Sequence, residues 1–305
     1  MIRKNYLGVF GHVAVDVLIS VDKFPEPNTC EEVKSRKTLF GGTGGNLVVA
    51  ASRLGIKTSI ASFVGDDLPI EFREFMTSLD IDLKDLITVE GGRTPTVIMV
   101  SDGSHNQTGF VDQGVMREQE KLPFLEHTIV DSEVVHVGTG RPSYALQVCK
   151  RARKENKIVA FDPAQELSYV YSQGEFVNML PFVDILFCNE KELQTALQYA
   201  GLGEPEELLT RVNTVVMTRG ARGSRIISKE SGPFEIPSFK PAKVVDTTGA
   251  GDSYRAGFYA AMSRGMTLEE CGLAGSAASS FAVEEFGGQA SRATWDDVYR
   301  RAFGY

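Results

Sequence analysis

The chain lacks a closely spaced cysteine pair. Its four cysteines, Cys30, Cys149, Cys188 and Cys271, are scattered over 305 residues, so neither a C-x-x-C zinc element nor a thioredoxin-type redox motif is available. They fit a reducing cytoplasmic setting better than a secreted disulfide framework, and Cys188, inside the apolar run ILFC, reads as a small buried thiol. Positive charge is not in excess: 32 Lys and Arg against 40 Asp and Glu leave a formal charge of −8. That argues against a nucleic-acid partner held by a broad basic face, while leaving room for a local basic pocket. No unbroken apolar run of about 20 residues exists, so no membrane partner is expected. The opening stretch MIRKNYLGVFGHVAVDVLISV has the outline of a signal peptide. However, His12 and Asp16 interrupt it, no small-residue cleavage pattern follows, and its alternation reads as strand. The sequence has no G-x-G-x-x-G after its first strand and no G-x-x-x-x-G-K-[ST], which sets aside a dinucleotide oxidoreductase and a P-loop enzyme. It also lacks an internal repeat and a low-complexity linker.

What is present is an ordinary globular balance, with 42% hydrophobic and 24% charged residues. A chain of this length buries roughly three quarters of its unfolded surface without staples. The segments YLGVFG, VDVLISV and VKSRKTLF read as strands, 44–54 as a helix, SIASFVG as a buried strand and LPIEFREFMTSL as an amphipathic helix. Two further strands, 94–102 and 105–111, are expected to meet at a turn at Asp102-Gly103. The chain then alternates: strand VVHVG, helix 143–155, strand IVAFD, helix 173–180, strand DILFC, helix 189–199, helix 204–211, strand TVVMT, a short hairpin and two closing helices. Alternation with buried strands predicts an α/β fold, a doubly wound and mainly parallel sheet with helices on both faces. The strands that break the alternation predict a small β-sheet lid over it. The expected division is a large nucleotide-binding and catalytic domain of residues 1–12, 41–93 and 113–305, and a lid of 13–40 and 94–112.

Chemistry concentrates in Val245-Asp246-Thr247-Thr248-Gly249-Ala250-Gly251-Asp252, followed by the helical run SYRAGFYAAMSRG. Gly249, Ala250 and Gly251 let a ligand approach the backbone, and the unpaired first N–H groups of the helix make an anion site. Asp252 stands at its mouth, where a carboxylate suits proton abstraction from a hydroxyl attacking a phosphoryl group. A bare Asp beside Gly is also a common helix cap; the full string favours the catalytic reading. Polar or Gly residues recur at strand ends (Gly11, Gly65, Gly138-Thr139-Gly140, Asp162-Pro163, Asn189, Thr218-Arg219-Gly220). That is where ligands of open α/β sheets sit, although each alone is an ordinary turn residue.

DTTGAGDSYRAGF resembles the C-terminal signature of the ribokinase-like carbohydrate kinases, a family that includes nucleoside kinases. Gly41-Gly42-Thr43-Gly44-Gly45-Asn46, with LVVAASRLG and FVGDD behind it, resembles their N-terminal signature. The resemblance implies an ATP-dependent phosphotransferase with an alcohol acceptor, and ATP and Mg²⁺ as its cofactors. It makes Asp252 the base, with Gly249, Ala250 and Gly251 as anion hole. Asp16 is implied to grip two sugar hydroxyls, and Gly42 and Asn46 to contact the sugar. Asn189 and Glu192, in an N-x-x-E element, match positions that organise Mg²⁺ through water and the nucleotide phosphates; N-x-x-E is also a helix capping box. Thr218, Arg219 and Gly220 match nucleotide-contacting positions, and Asp246 and Thr248 positions that hold K⁺ in some members.

The acceptor is less legible. Phe110 is expected to stack on a base or to fill the lid core, and Gln113 to hydrogen-bond a base. The spelling FDPAQEL resembles nucleoside kinases, so a nucleoside phosphorylated at its 5′ hydroxyl is preferred. A free-sugar kinase, a sugar-phosphate kinase using Arg36, Lys37 and Arg141, and a non-catalytic nucleotide- or sugar-binding module are the alternatives. Arg255, one helical turn past Asp252, reads equally as a phosphate clamp or a surface ion-pair partner. His12, His105, His127 and His136 read as structural rather than as a metal cluster. The strand VKSRKTLF is expected to pair with its copy in a homodimer or to be protected by its charges. Gly41, Gly42, Gly92 and Gly114 are candidate hinges.

Overall fold

The computed structural model describes residues 5–104 and 106–304; His105 lies outside them. In chain order the elements are β1 (Leu7–Phe10), β2 (Ala14–Val21), β3 (Val33–Gly41), α1 (Thr43–Arg53), β4 (Thr58–Gly65), α2 (Ile70–Ser78), β5 (Asp82–Val89), β6 (Thr96–Ser101), β7 (Gln107–Asp112), α3 (His127–Asp131), β8 (Val134–Val137) and α4 (Pro142–Lys154). There follow β9 (Ile158–Phe161), α5 (Gln173–Met179), β10 (Ile185–Asn189), α6 (Glu190–Ala200), β11 (Thr214–Thr218), β12 (Ser224–Ser228), β13 (Phe234–Ile236), α7 (Ala250–Met262), α8 (Leu268–Ala282) and α9 (Trp295–Phe303).

Nine strands form one sheet in the order β13-β12-β11-β10-β9-β8-β1-β4-β5. The pairings from β5 to β11 are parallel, and β12 and β13 add antiparallel strands at one edge. Strands buried on both faces explain runs such as TSIASFVG, which is buried at every position. One face packs α1, α2, α7, α8 and α9 through Leu47, Phe72, Phe258, Ala274 and Val298. The other packs α3 to α6 through Ile129, Val148, Phe176 and Leu193. A second sheet, β3-β2-β6-β7, has antiparallel outer pairs around a parallel β2–β6 pair. No described helix is long and apolar enough to cross a membrane.

Some expectations need correction. Segment 82–89 is a strand, β5, at the edge of the large sheet, with its two buried positions at Asp85 and Leu86; that half-wet pattern hides it. Helix α3 is five residues long, too short to show a period. The expected helix 204–211 is a 3₁₀ turn over Pro205–Thr210, and three helices rather than two close the chain. The link between β6 and β7 is no tight turn: Asp102 accepts from the amides of Ser104 and Asn106 at 2.9 Å each and so organises a longer loop. Gly92 and Gly114, two of the candidate hinges, stand in close contact with their neighbours. A Cβ at Gly92 would stand 2.3 Å from Val115 Cγ1, and one at Gly114 2.3 Å from the Arg93 carbonyl.

Helix α7, which carries Asp252, is locked against α8 by small residues. A Cβ on Gly257 would lie 2.5 Å from the Ala274 carbonyl and 2.7 Å from the Ala278 Cβ. Gly257→Val is therefore expected to destabilise the fold by about 1–3 kcal/mol through overpacking, read as a lower midpoint in urea with an unchanged slope; an unchanged midpoint would show that the helices can part there freely.

Candidate active site

The tip of α7 is built by the loop before it. Asp246 Oδ1 accepts from the Thr248 amide (2.9 Å) and hydroxyl (2.8 Å), and Oδ2 accepts from the Gly287 amide (2.9 Å). Gly249 takes φ +73°, a conformation that favours glycine, and a Cβ there would meet the Gly288 Cα at 2.6 Å. The Ala250 amide donates to the Thr247 carbonyl and the Ser253 amide to the Gly249 carbonyl. Among the described residues, the amides of Gly249, Gly251 and Asp252 have no acceptor. They are the unpaired donors of a helix N-terminus, where the dipole adds to their pull on an anion.

Asp252 Oδ2 accepts from Asn46 Nδ2 at 2.9 Å. Burial pushes the Asp252 carboxyl up to about 6; the Arg255 charge and the Asn46 hydrogen bond pull the other way, and Asp162 adds repulsion. Asp16, on β2, is also raised to about 6, by burial first and then by the charges of Asp252 and Asp246. Its Oδ1 is buried without a partner. A Cβ on Gly41 would stand 2.2 Å from Asp16 Oδ2, and one on Gly42 (φ +82°) 2.4 Å from the His12 carbonyl. The glycines of the N-terminal signature are thus the space in which Asp16 and the start of α1 sit.

On the far side of the α7 tip lies a cavity of about 570 Å³, bounded by Ala250, Gly251, Thr218, Gly220, Lys240 and Val283 among others. Thr218 and Gly220 line it; Arg219 does not. Its guanidinium bonds Glu235 (2.5 Å) and the Ser224 carbonyl (3.3 Å), because antiparallel β12 and β13 bring those acceptors beside it. Asn189 and Glu192 form a reciprocal cap on α6: Asn189 Oδ1 accepts from the Glu192 amide (2.9 Å), and Glu192 Oε2 from the Asn189 amide (2.8 Å). Glu192 Oε1 accepts from Asn189 Nδ2 at 2.7 Å. Burial and the Asp162 charge push the Glu192 carboxyl upward. Arg255 is not a surface residue. It is buried, ion-paired with Asp162, and raised by the surrounding carboxylates against the cost of burial.

Gln113 is occupied by protein. Its Oε1 accepts from His12 Nε2 (2.6 Å), and its Nε2 donates to Glu166 Oε1 (2.8 Å), while Glu166 Oε2 accepts from the Gly140 amide (2.7 Å). Because a carboxylate only accepts, the amide orientation and the His12 tautomer follow: Nε2 carries the proton, and Nδ1 accepts from Thr139, 2.6 Å away. Phe110, on β7, is 59% exposed rather than part of a core. Of the cations considered for a second phosphate, Lys37 lies over the Phe286 ring, 4.4 Å from its centroid, and Arg141 Nε donates to the Arg117 carbonyl. His136 is buried, bonded to the Tyr259 hydroxyl (2.8 Å), and lowered to about 4 by burial. His127 Nε2 lies 2.8 Å from Asp82 and 3.6 Å from Asp131. Sequence distance hides that grouping, whose atoms lie close enough to share an ion. Asp162 is one of the strand-end positions the sequence marks; Glu166, four residues on in FDPAQEL, escapes sequence reasoning as a site residue, because only its contacts with Gln113 and Gly140 bring it to the cleft.

The chain matches the profile of the pfkB family carbohydrate kinases over residues 4–295. A nucleoside kinase of Methanocaldococcus jannaschii is 37% identical over 95% of this chain and 94% of its own, and one of Methanothermobacter thermautotrophicus is 38% identical over 92% and 89%. The crystal structure of the M. jannaschii nucleoside kinase, described as an archaeal member of the ribokinase family, superposes with a TM-score of 0.91 at 35% identity, covering 99% of both chains.

The raised carboxyl of Asp252 makes a pH-dependent stability test. Below pH ~4, its ordinary value, folded and unfolded chains both hold the proton. Between that and about 6 only the folded chain does, so this contribution to stability is lost as pH rises through the window. Asp252→Asn is expected to gain stability relative to the unsubstituted protein over that window and to hold the gain above it. Denaturant midpoints at a series of pH values check this; a gain that shrinks as pH rises contradicts it.

Proposed function

Starting from a chain that belongs to the pfkB family of carbohydrate kinases, and is thus an ATP-dependent kinase acting on a hydroxyl, we propose that the acceptor is the 5′ hydroxyl of a nucleoside. The observation that carries the chemistry is the unpaired amides of Gly249, Gly251 and Asp252 standing beside the Asp252 carboxylate. ATP occupies the cavity on the Thr218–Gly220 side, so that its γ-phosphoryl group reaches those amides. Asp252 accepts the 5′ hydroxyl proton as that oxygen bonds to the γ-phosphorus, the bond from the γ-phosphorus to the bridging oxygen breaks and ADP leaves, and the amides hold the charge of the migrating group. Losing one such donor elsewhere costs ~2.7–4 kcal/mol. Asp16 grips the ribose hydroxyls with Asn46 and the Gly42 backbone. Residues 13–40 and 94–112 act as a lid that excludes water during transfer. The preference for a nucleoside is supported by the two archaeal relatives. A ribose-1-phosphate kinase of Halopiger xanaduensis matches at only 28% identity.

Mg²⁺ bound with ATP would neutralise the charge that develops on the phosphates. Glu192 would hold it through water, its two oxygens each already accepting one protein N–H group. Asp246 works as the staple of the 246–249 loop, and no step is assigned to K⁺. Four free cysteines suit a reducing cytoplasm. The edge strand β3 supports a homodimer through the small sheet, which sedimentation of the purified protein tests: a single species at monomer mass rejects it.

A panel of nucleosides and free sugars with ATP and Mg²⁺ is expected to show fastest ADP release with nucleosides; faster turnover with ribose than with any nucleoside rejects that acceptor. Asp252→Asn is expected to lower kcat by ~10²–10⁴-fold while nucleoside affinity persists. In the unsubstituted enzyme kcat/KM should rise with pH and level off above about 6, where Asp252 is ionised. A rate that falls across that range removes Asp252 from its role.

A further inference from the structure

The loop after α8 lies against the acceptor side of the cleft at three successive residues. A Cβ on Gly287 would stand 2.9 Å from Leu39 Cδ1, and Leu39 is the cross-strand partner of Asp16. A Cβ on Gly288 would lie 2.7 Å from Asn46 Nδ2, the group that holds Asp252. Gln289 then places its side chain against the first turn of α1, with Nε2 3.2 Å from where a Cβ on Gly45 would be. The loop is fixed in that course. Arg53 donates to the carbonyls of Gln289 (2.5 Å) and Ser291, and the Gly287 amide donates to Asp246.

Both polar atoms of the Gln289 carboxamide are buried, and neither has a partner among the described residues. Buried polar groups of this kind are costly and rare unless something else satisfies them. Two atoms of the acceptor side are in the same condition, Asp16 Oδ1 and Asn46 Oδ1. Those two oxygens only accept. A sugar hydroxyl needs both an acceptor for its proton and a donor for its oxygen, and Gln289 Nε2 is the donor that this set lacks.

We propose that Gln289 is a further acceptor-binding residue, its carboxamide donating to a ribose hydroxyl whose proton goes to Asp16 or Asn46. The proposal rests on the acceptor side being where the preceding subsection puts it, but not on the acceptor carrying a base.

Gln289→Met keeps length and removes the hydrogen bonds. With a ribonucleoside, the acceptor KM should rise about 5- to 10-fold, the loss of one hydrogen bond, while the KM for ATP stays within about twofold. With the 2′-deoxy or the 3′-deoxy analogue, whichever lacks the contacted hydroxyl, that penalty should disappear. An unchanged acceptor KM, or an equal penalty for the ribonucleoside and both deoxy analogues, overturns the proposal. So does a parallel rise in the KM for ATP. Gln289→Asn, which keeps the polarity but shortens the reach, serves as the second variant if the Met substitution lowers the thermal midpoint. If the unsubstituted protein uses ribose and no nucleoside, the nucleoside reading fails while Gln289 is tested on ribose in the same way.

Discussion

The hydrogen bond from Asn46 to Asp252 joins residues 206 positions apart, and the site depends on it. Asn46 belongs to the first turn of α1, and Gly41 and Gly42 just before that helix make room for Asp16 and for the turn out of β3. Asp252 belongs to the first turn of α7, whose preceding loop exposes backbone amides. One contact therefore sets Asp16, the proposed base Asp252 and the proposed anion hole of the 249–252 amides in a common frame. Everything else that stiffens the frame acts on one of these two helix tips: the Asp246 staple before α7, Gly288 against Asn46, and the small-residue packing of α7 on α8.

Around that contact the charges are arranged so that Asp252 is hard to ionise without being neutralised outright. Burial raises it, while Arg255 and Asn46 lower it. Arg255 is itself committed to Asp162, which keeps its full charge off Asp252. A carboxylate with a value near 6 is a stronger base than an exposed one, yet remains mostly ionised at neutral pH. The same desolvation that raises Asp252 costs stability above that pH, so the strain comes from the surroundings of the carboxylate rather than from its backbone.

Much of this was legible in the sequence because it is local. The 249–252 loop, the glycine run at 41–45 and the parallel strands each write their physics into a few consecutive residues: small side chains where the backbone must be approached, and apolar runs where both faces are covered. What stayed hidden depends on partners far along the chain. Arg219 points to Glu235 because β12 and β13 fold back, and no spacing announces that. Gln113 is held by His12 and Glu166, so that residues from three separate segments meet there. Gln289 lies in a loop without a period, and its significance comes only from what Asp16 and Asn46 leave unsatisfied. Strand β5 is hidden for a different reason: as an edge strand with charged positions it carries neither the apolar run of a central strand nor clean alternation.

The central claim is a geometry at the moment of transfer, and a crystal structure with nucleoside, ADP, Mg²⁺ and aluminium fluoride tests it most directly. The account predicts the 5′ oxygen within about 2.6–3.2 Å of the Asp252 carboxylate, in line with the fluoride group, and fluorine atoms bonded to the amides of Gly249, Gly251 or Asp252. A fluoride group bound away from the α7 tip, or an acceptor hydroxyl out of hydrogen-bond reach of Asp252, would contradict it.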